Sequence, residues 1–452
     1  MIDLSVAKIC QLTGGISNCD QGLLVTSAPV FDSRKATRGS LFLALEGEKL
    51  DGHNFIADAL QNGAVAALTT KQVSEPHIKV ENVLVALGEI AKYVRTQLTD
   101  LIVIGITGSQ GKTTTKELLQ HLLSLNGTTV APEGSFNNEL GAPLTLLHCN
   151  KGTKYCIAEL GARHQGDIKK LSEIVKPNIG VVLTVGTAHL GEFGSRAAIA
   201  ETKAELIDSL DNNGIAILGT YDDLTPAMGK NFKGKKITFG EGSSCTVRAA
   251  EIESREGRAY FDLVTPDDRV SVSLRLIGLH QIPNALAAAS VGVALGISSE
   301  KIASALSSAQ LKSKWRMELI DLEDLLVIND SYNANPESIS AALRTLALFA
   351  QERGGAAWAF LGTMHELGSE SKSAHEKIGK LAIELGIDHL IAVKNKDYGG
   401  IYVESIQSAL EYLPQIEPGD VVLVKASRAE ALNELADGII ERWKAEQERS
   451  EN

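Results

Sequence analysis

The sequence has few cysteines and no long uncharged segment, and both absences limit the class of protein. Its 452 residues include five cysteines, scattered without paired spacing, so we expect free thiols and not a disulfide framework or a zinc site. The longest uncharged apolar run, residues 285–297, is shorter than the roughly 20 residues that span a bilayer. The first residues show no signal-peptide core. We therefore expect a cytoplasmic protein that does not insert into a membrane.

The chain also lacks any basic run longer than a few residues. Its formal net charge is −12, which argues against a dedicated nucleic-acid binder, because such proteins carry basic patches. An anionic ligand would have to be held by local loops. No internal repeat or low-complexity segment stands out, and apolar residues make up 44% of the chain. A globular protein of this length is expected to contain several domains.

The segment LIVIGITGSQGKTTTK, residues 101–116, carries the clearest chemical signal. Its uncharged β-branched start predicts a buried parallel strand, and a glycine-rich turn and a helix beginning near Lys112 follow. This order is typical of a phosphate-binding loop (P-loop), whose N–H groups and helix N-terminus bind phosphate oxygens. Lys112 would contact the β- and γ-phosphates and the Thr113 hydroxyl a Mg²⁺. Ile106 stands where the general pattern has its first glycine, so the loop is a shortened form.

Alternating strand and helix patterns predict an α/β fold of three domains, residues 1–98, 99–311 and 312–452. The first mixes short strands and helices. The second has predicted strands at 154–160, 179–185 and 214–218, typical of a parallel sheet, and antiparallel strands within 246–277. The third predicts a separate, Rossmann-like doubly wound unit. Its predicted strands are 325–329, 356–361, 389–394 and 421–424, and its predicted helices are 338–352, 374–385 and 430–446.

Two polar residues follow predicted strands near the P-loop. Glu159 ends one strand and His189 follows another, and ligands of doubly wound sheets lie outside the carboxyl ends of strands. A carboxylate suits Mg²⁺, and a histidine suits a second metal position. Each residue alone is better explained as a solvent-facing acid or a loop histidine, but together with a P-loop they favour the metal interpretation. Lys203, on a predicted helix between Glu201 and Glu205, is on spacing alone a solvated lysine.

Seven sequence blocks occur in an order that resembles the ATP-dependent Mur ligases of peptidoglycan synthesis. They are TGSQGKTT, FNNELGAPLT, AELGARHQGDI, the His189 loop, ETKAEL, GLHQIPNALAAA and NDSYNANPES, and an N-terminal segment, FDSRKATRGSLFLALEGEKLDGHNF, is similar too. The resemblance covers nearly the whole chain, and the loop TGxxGKT is the form found in this family. It implies an N-terminal UDP-sugar-binding domain, a central ATP-binding P-loop domain and a C-terminal Rossmann-like domain that closes over ATP and an incoming dipeptide.

The resemblance also implies an activity. The blocks are most similar to the branch of the family that joins D-alanyl-D-alanine to UDP-N-acetylmuramoyl-tripeptide. There the tripeptide carboxylate attacks the γ-phosphate of ATP, and the dipeptide amine attacks the resulting acyl phosphate. The implied cofactors are ATP, two Mg²⁺ ions, and CO₂ as a carbamate on Lys203, which would turn a cation into an anionic oxygen donor for Mg²⁺. This implication reverses the solvated interpretation of Lys203. The implied catalytic residues are Lys112, Glu159, His189 and Lys203.

Further roles are implied position by position. The nucleotide would be held by Gly108, Ser109, Gln110, Gly111, Lys112, Thr113, Thr114, Asn284, Arg316 and Asp330. The metal ligands would be Thr113, Glu159, His189 and the carbamate of Lys203. The sugar nucleotide would meet Asp32, Ser33, Arg34, Asn137 and Asn138, and the dipeptide would meet Asn333 and Asn335. We expect a monomer, because no exposed hydrophobic helix stands out.

Several positions depart from the family pattern. Thr363 stands where the pattern has an aspartate, Ala426 where it has a glycine that could need positive φ, and Lys314-Trp315 where it has Pro-Gly. Arg163 replaces an asparagine. These departures could reflect neutral drift or a changed acceptor preference.

Three alternatives remain to be weighed. A related ligase is one, either the enzyme that adds the third residue or folylpolyglutamate synthetase. The block DSYNANP and the lack of a DNPR segment argue against the former, and the N-terminal segment argues against the latter. A GTP-binding switch protein is another, but Tyr398 stands where its NKxD motif needs aspartate. The third is a non-catalytic binding protein, against which the intact Lys112, Glu159, His189 and Lys203 argue.

Overall fold

The computed structural model describes residues 1–47, 49–188 and 190–450, without the side chains of residues 449 and 450. His189, a predicted metal ligand, therefore lies outside the described residues. Among the helices that are described, none is both long enough and apolar enough to cross a membrane. All five cysteines carry free thiols, as predicted.

The N-terminal unit, β1 to α3, has a four-stranded sheet in the order β2-β6-β5-β4 and a strand pair, β1-β3. Strands β4, β5 and β6 are parallel. Helix α3 begins after Asn82, whose side chain accepts hydrogen bonds from the N–H groups of Leu84 and Val85. The elements are β1 (Leu4–Ser5), α1 (Val6–Thr13), β2 (Ile16–Ser17), β3 (Leu24–Val25), β4 (Leu41–Leu43), α2 (Ile56–Gln61), β5 (Ala66–Thr69), β6 (His77–Lys79) and α3 (Val83–Gln97).

The central unit, β7 to α10, is built on one nine-stranded sheet in the order β15-β14-β13-β12-β11-β10-β7-β9-β8. Strands β7 to β13 are parallel, and β14 is antiparallel to both of its neighbours, β13 and β15, so that antiparallel strands lie within 246–277 as predicted. The strands are β7 (Ile102–Thr107), β8 (Thr129–Val130), β9 (Tyr155–Glu159), β10 (Ile179–Val182), β11 (Ile215–Gly219), β12 (Lys235–Gly240), β13 (Val247–Arg255), β14 (Arg258–Val264) and β15 (Arg269–Ile277). The helices are α4 (Lys112–Ser124), α5 (Gly141–Leu147), α6 (Asp167–Val175), α7 (Leu190–Phe193), α8 (Arg196–Asp208), α9 (Ile282–Ala294) and α10 (Ser299–Ser308).

Strand β7 lies inside this sheet and is buried on both faces. Val103 belongs to an apolar cluster with α3, α5 and α6, whereas Ile104 and Ile106 belong to a cluster with α4 and α9 on the opposite face. A strand covered on both faces needs apolar side chains at nearly every position, which explains its uninterrupted β-branched sequence. The strand end and the loop after it are therefore fixed by packing from two sides.

The C-terminal unit, β16 to α14, has a six-stranded sheet in the order β16-β17-β21-β18-β19-β20. All neighbours are parallel except β16, which is antiparallel to β17. The strands are β16 (Glu318–Asp321), β17 (Leu326–Asn329), β18 (Ala357–Leu361), β19 (His389–Val393), β20 (Ile401–Val403) and β21 (Val421–Lys425), and the helices are α11 (Pro336–Arg353), α12 (Ser371–Glu384), α13 (Ile406–Leu410) and α14 (Asn433–Ser450). The α/β class and the doubly wound unit are confirmed, while the domain boundaries at 98/99 and 311/312 stay predictions.

Candidate functional site

The P-loop has the predicted geometry. Strand β7 ends at Thr107 and helix α4 begins at Lys112. Gly111 has φ of 81°, a left-handed conformation that favours glycine, and a Cβ there would lie 2.2 Å from Asn284 Oδ1. A Cβ on Gly108 would lie 2.8 Å from the Leu183 Cβ. Both glycines are therefore required by close contacts, and the turn presents its backbone at the N-terminus of α4.

Lys112 is folded back over this turn. Its Nζ donates a hydrogen bond to the Gly108 carbonyl at 2.6 Å. Burial lowers the pKa of Lys112, the carboxylate of Glu159 raises it, and the positive charge of Arg316 lowers it again. The lysine is thus placed between the loop, an acid of the central unit and an arginine of the C-terminal unit.

Glu159 is held at the end of β9 with its carboxylate directed at the start of α4. The residue is 1% exposed. Its Oε2 accepts a hydrogen bond from the Thr113 hydroxyl at 3.1 Å, and its Oε1 accepts one from the Asn137 amide at 2.9 Å. Two of the predicted metal ligands, Thr113 and Glu159, thus meet beside the P-loop. A hydroxyl and a carboxylate are hard oxygen donors, so this pair fits Mg²⁺.

Lys203 is buried, so the solvated interpretation based on spacing alone is wrong. It lies on the inner face of α8 and is 6% exposed. Burial, and then the positive charge of Lys112, lower the pKa of Lys203 to about 7. The neighbouring Glu205 does not neutralise it, since its carboxylate accepts hydrogen bonds from the N–H groups of Gly166 and Lys169 at the start of α6. Lys203 is therefore an amine that is partly uncharged near neutral pH.

Asn284 and Arg316 approach the P-loop from other elements. Asn284, on α9, donates a hydrogen bond to Gln281 Oε1 at 2.8 Å and accepts one from the Thr115 hydroxyl at 3.4 Å. Arg316 lies over the Tyr332 ring, with its guanidinium carbon 3.9 Å from the ring centroid. Both residues therefore lie near the P-loop, and their nucleotide-binding role stays a prediction.

Asp330 is engaged inside the C-terminal unit. Its Oδ2 accepts a hydrogen bond from Lys425 Nζ at 2.5 Å, and its Oδ1 accepts one from the Met317 N–H at 3.1 Å. Lys425 is 1% exposed and also donates to the Asn333 carbonyl at 2.9 Å. Lys425 was not among the predicted site residues, although a charged residue at the end of an apolar parallel strand is a recognisable signal. The pair fixes the position of the DSYNANP block.

The predicted sugar-nucleotide residues come together at the junction of the N-terminal and central units. Arg34 donates to the Asp32 carboxylate through Nε at 2.9 Å and Nη2 at 2.8 Å, and Ser33 is buried between them. Lys35 pairs with Glu133 at 3.2 Å. The rings of Phe31 and Phe136 lie 5.8 Å apart. Segment 31–35 therefore lies against segment 133–138, which contains Asn137 and Asn138.

The two asparagines predicted to meet the dipeptide have local partners. Asn335 caps α11, where its side chain accepts a hydrogen bond from the Ser338 N–H at 2.8 Å and Ser338 Oγ accepts one from the Asn335 N–H. Asn333 is exposed, and its side chain accepts from the Ala334 N–H at 2.9 Å. The cap uses the side-chain oxygen Oδ1 of Asn335. The side-chain nitrogen Nδ2 would therefore be the atom that contacts a ligand.

The backbone conformation can be compared with expectation at two of the positions that depart from the family pattern, Ala426 and Trp315. Ala426 is not among the described residues with positive φ, so the concern that this position needs a glycine is wrong. Trp315 does have positive φ, 61°, a conformation that is uncommon for a bulky side chain. Its ring lies against Arg428, whose guanidinium carbon is 4.2 Å from the ring centroid. This cation–π contact offsets part of the strain.

Comparisons with known proteins agree along the whole chain. Three family models match in succession: the Mur ligase family catalytic domain at residues 30–95, the Mur ligase middle domain at 106–292, and the Mur ligase glutamate ligase domain at 315–428. The UDP-N-acetylmuramoyl-tripeptide–D-alanyl-D-alanine ligase of Mycobacterium tuberculosis is 39% identical over 500 aligned residues, which cover 97% of this chain and 98% of that protein.

Two solved structures show the same arrangement of units. The crystal structure of MurF from Acinetobacter baumannii superposes with a TM-score of 0.88 at 35% identity and covers 97% of this chain and 99% of that chain. MurF ligase from Thermotoga maritima, in complex with ADP, superposes with a TM-score of 0.79 at 30% identity over 92% of this chain and 99% of that chain.

Proposed function

The chain belongs to the Mur ligase family, and from that premise we propose that it joins D-alanyl-D-alanine to UDP-N-acetylmuramoyl-tripeptide with hydrolysis of ATP. The single observation that carries this function is the meeting of Lys112, Thr113 and Glu159 at the P-loop, where Thr113 donates to Glu159 at 3.1 Å. Relatives of this length and identity bear that activity in their names. The reaction belongs to peptidoglycan precursor synthesis and makes UDP-N-acetylmuramoyl-pentapeptide.

The reaction activates a carboxylate before an amide is made. The terminal carboxylate of the tripeptide attacks the γ-phosphorus of ATP, and ADP leaves. The amine of D-alanyl-D-alanine then attacks the carbonyl carbon of the acyl phosphate, and inorganic phosphate leaves with a proton lost from the amine. The chain supplies no nucleophile of its own, so its contribution is alignment of three substrates and neutralisation of phosphate charge.

Each part of the P-loop has a role in this alignment. The N–H groups of Gly108, Ser109, Gln110 and Gly111 and the N-terminus of α4 bind phosphate oxygens, and Thr114 lies in the first turn of that helix. Lys112 turns from the Gly108 carbonyl to the phosphates. Asn284, Arg316 and Asp330 are the proposed contacts to the rest of the nucleotide.

The metal would be held by Thr113 and Glu159, with His189 and a carbamate on Lys203 as the further ligands of a two-ion site. A Mg²⁺ ion held by these residues would supply positive charge that offsets the charge of the phosphoryl group. The buried position of Lys203 and its pKa of about 7 support the carbamate, because CO₂ reacts with a neutral amine. Asn137 holds the second oxygen of Glu159 at 2.9 Å and so orients this carboxylate.

The other substrates are assigned to two further groups of residues. The junction proposed for the sugar nucleotide is formed by Asp32, Ser33, Arg34, Asn137 and Asn138. There the guanidinium of Arg34 would release the Asp32 carboxylate and bind a phosphate of the sugar nucleotide instead. Asn333 and Asn335 are proposed to place the dipeptide. We further propose three domains with boundaries at 98/99 and 311/312, a monomeric chain and a cytoplasmic location, since these are the features that the activity requires or permits.

The test is ATP-dependent phosphate release with UDP-N-acetylmuramoyl-tripeptide, in the presence and absence of D-alanyl-D-alanine. Release that needs both substrates, with a pentapeptide product by mass spectrometry, is the expected result. A Lys112→Met variant should lose the reaction, whereas Lys301→Met, at an exposed position on α10, should retain it. Phosphate release at the same rate with and without D-alanyl-D-alanine, or no phosphate release at all, would refute the proposed function.

A further inference from the structure

Glu337 of the C-terminal unit lies against the loop that follows β10. Its carboxylate accepts hydrogen bonds from one residue of that loop, Thr187. The Thr187 N–H donates to Oε1 at 2.9 Å, and the Thr187 hydroxyl lies 3.0 Å from each carboxylate oxygen. Glu337 stands in the first turn of α11, where the helix dipole favours an acid. One side chain of the C-terminal unit therefore holds both donors of Thr187.

The same loop contacts the P-loop on its other side. The Gly186 N–H donates to Ser109 Oγ at 2.9 Å, and the Ser109 N–H donates to the Thr184 carbonyl at 2.9 Å. A Cβ on Gly186 would lie 3.0 Å from Glu337 Oε1 and 3.5 Å from Ser109 Cβ. Gly186 thus lies between Ser109 of the P-loop and Glu337 of α11, and the loop connects these two elements directly.

The N-terminus of α11 is in turn fixed to the DSYNANP block. Asn335 caps the helix through the Ser338 N–H at 2.8 Å, and Lys425 holds the Asn333 carbonyl at 2.9 Å. Movement of Glu337 with its helix therefore moves segment 332–335 as well. The adjacent residues Gly186 and Thr187 thus link the P-loop to α11, since Gly186 donates to Ser109 and Thr187 donates to Glu337.

We propose that Glu337 is a positioning residue that couples nucleotide binding at the P-loop to dipeptide binding by the C-terminal unit. The inference rests on the proposed function, which supplies the two ligands. Phosphate binding fixes Ser109, which fixes Gly186 and presents Thr187 to Glu337, and the docked α11 then places segment 332–335. By linkage, the factor by which the nucleotide tightens dipeptide binding equals the factor by which the dipeptide tightens nucleotide binding.

The experiment is calorimetric titration of D-alanyl-D-alanine into the full chain saturated with UDP-N-acetylmuramoyl-tripeptide. It is done with and without Mg²⁺ and a non-hydrolysable ATP analogue, and the ratio of the two dissociation constants is the coupling factor. We expect a factor of about five or more for the unsubstituted chain and close to one for Glu337→Ala. Glu337→Gln keeps an acceptor oxygen and should restore part of the factor. Glu352→Ala, at an exposed position near the other end of α11, should leave it unchanged.

A second variant, at Thr187, tests the same contact in case Glu337→Ala does not fold. Thr187→Val removes the hydroxyl but keeps the N–H, so it should lower the factor too, and combined with Glu337→Ala it should add little, because both remove the same contact. If Glu337→Ala does not fold, the coupling factor of Thr187→Val alone tests the inference. A factor that stays at the original value in the variants, or equals one in the unsubstituted chain, overturns the inference. Failure of the dipeptide to bind under any condition would instead refute the proposed function.

Discussion

A lysine reacts with CO₂ only as a neutral amine, and the surroundings of Lys203 favour that form. With its pKa lowered to about 7, about half of the side chains are neutral at pH 7, compared with roughly one in three thousand for a lysine with an ordinary pKa near 10.5. The nearby Glu205 accepts hydrogen bonds from the start of α6 and so does not hold the proton on the amine. The neutral form that the proposed carbamate requires is therefore well populated at pH 7.

We predict that activity depends on CO₂ more strongly at low pH. Below pH 7 the amine of Lys203 is protonated and must lose its proton before it reacts, so the rate at pH 6 should rise several-fold when CO₂-free buffer is replaced by CO₂-equilibrated buffer. At pH 8, where about nine-tenths of the amine is neutral, the rise should be small. Initial rates of phosphate release measure this.

Substitution at the same position provides the control. Lys203→Ala should be inactive at both pH values and indifferent to CO₂, and added short-chain carboxylates should restore part of its rate by replacing the carbamate oxygens. Full activity of Lys203→Ala without added carboxylate would rule out the carbamate. An equal response to CO₂ at pH 6 and pH 8 would rule out the altered pKa as its cause.

Packing accounts for the fit of Ala426 at a position where the family pattern has a glycine. A Cβ on Gly362 would lie 2.8 Å from the Ala426 Cβ, so the methyl group of Ala426 occupies space that Gly362 leaves open at the ends of β18 and β21. This contact could not be predicted from sequence, because the two residues are distant in the chain and meet only when the strands pair. The family pattern alone suggested a backbone constraint that does not exist.

At the scale of elements, long apolar runs made the predictions reliable. Strand β7 lies where the start of segment 101–116 predicted it, because a strand buried on both faces carries an uninterrupted apolar sequence. The short strands β8, β16 and β20 were missed, because two to four residues carry too little pattern to be recognised. The cap of α11 was also missed, although asparagine before proline with serine three residues later is a recognisable helix start.

That cap leads to a prediction which separates two roles of Asn335. Asn335→Ala should lower the free energy of unfolding by about 1 kcal/mol, because the Ser338 N–H loses its acceptor. Asn335→Asp keeps the oxygen and should melt at the original temperature, but it replaces the amide donors by a carboxylate. If Asn335 contacts the dipeptide, Asn335→Asp should raise the KM for D-alanyl-D-alanine and leave the KM for ATP unchanged.

Thermal melting and steady-state kinetics of both variants check this. An Asn335→Asp variant with an unchanged KM for the dipeptide would make Asn335 a helix cap and nothing more. The remaining candidate in the block would then be Asn333, whose side chain is exposed.

At the scale of the whole molecule, the site depends on contacts that no local pattern predicts. Glu337 reaches Thr187, the hydroxyls of Ser135 and Tyr332 meet, and the Gly191 N–H donates to the Glu366 carbonyl at 2.9 Å. Each pairs the central unit with the C-terminal unit across more than a hundred residues of sequence. The family resemblance implied that the two units approach each other, but the residues that make the contacts follow from three-dimensional packing.

These contacts predict that ligands shift the position of the C-terminal unit. A hydrogen bond contributes about 1 kcal/mol net, so a few such bonds between loops leave the docked and undocked arrangements close in free energy, and ligands that bind both units favour the docked one. Small-angle scattering should therefore show a smaller radius of gyration with Mg²⁺, a non-hydrolysable ATP analogue and UDP-N-acetylmuramoyl-tripeptide than without them. The ligand-bound profile should match the arrangement described here. Lys112→Met, which lacks the cation facing the phosphates, should respond less. Superimposable profiles with and without ligands would mean that the units are docked permanently, and closure would then have no part in the reaction.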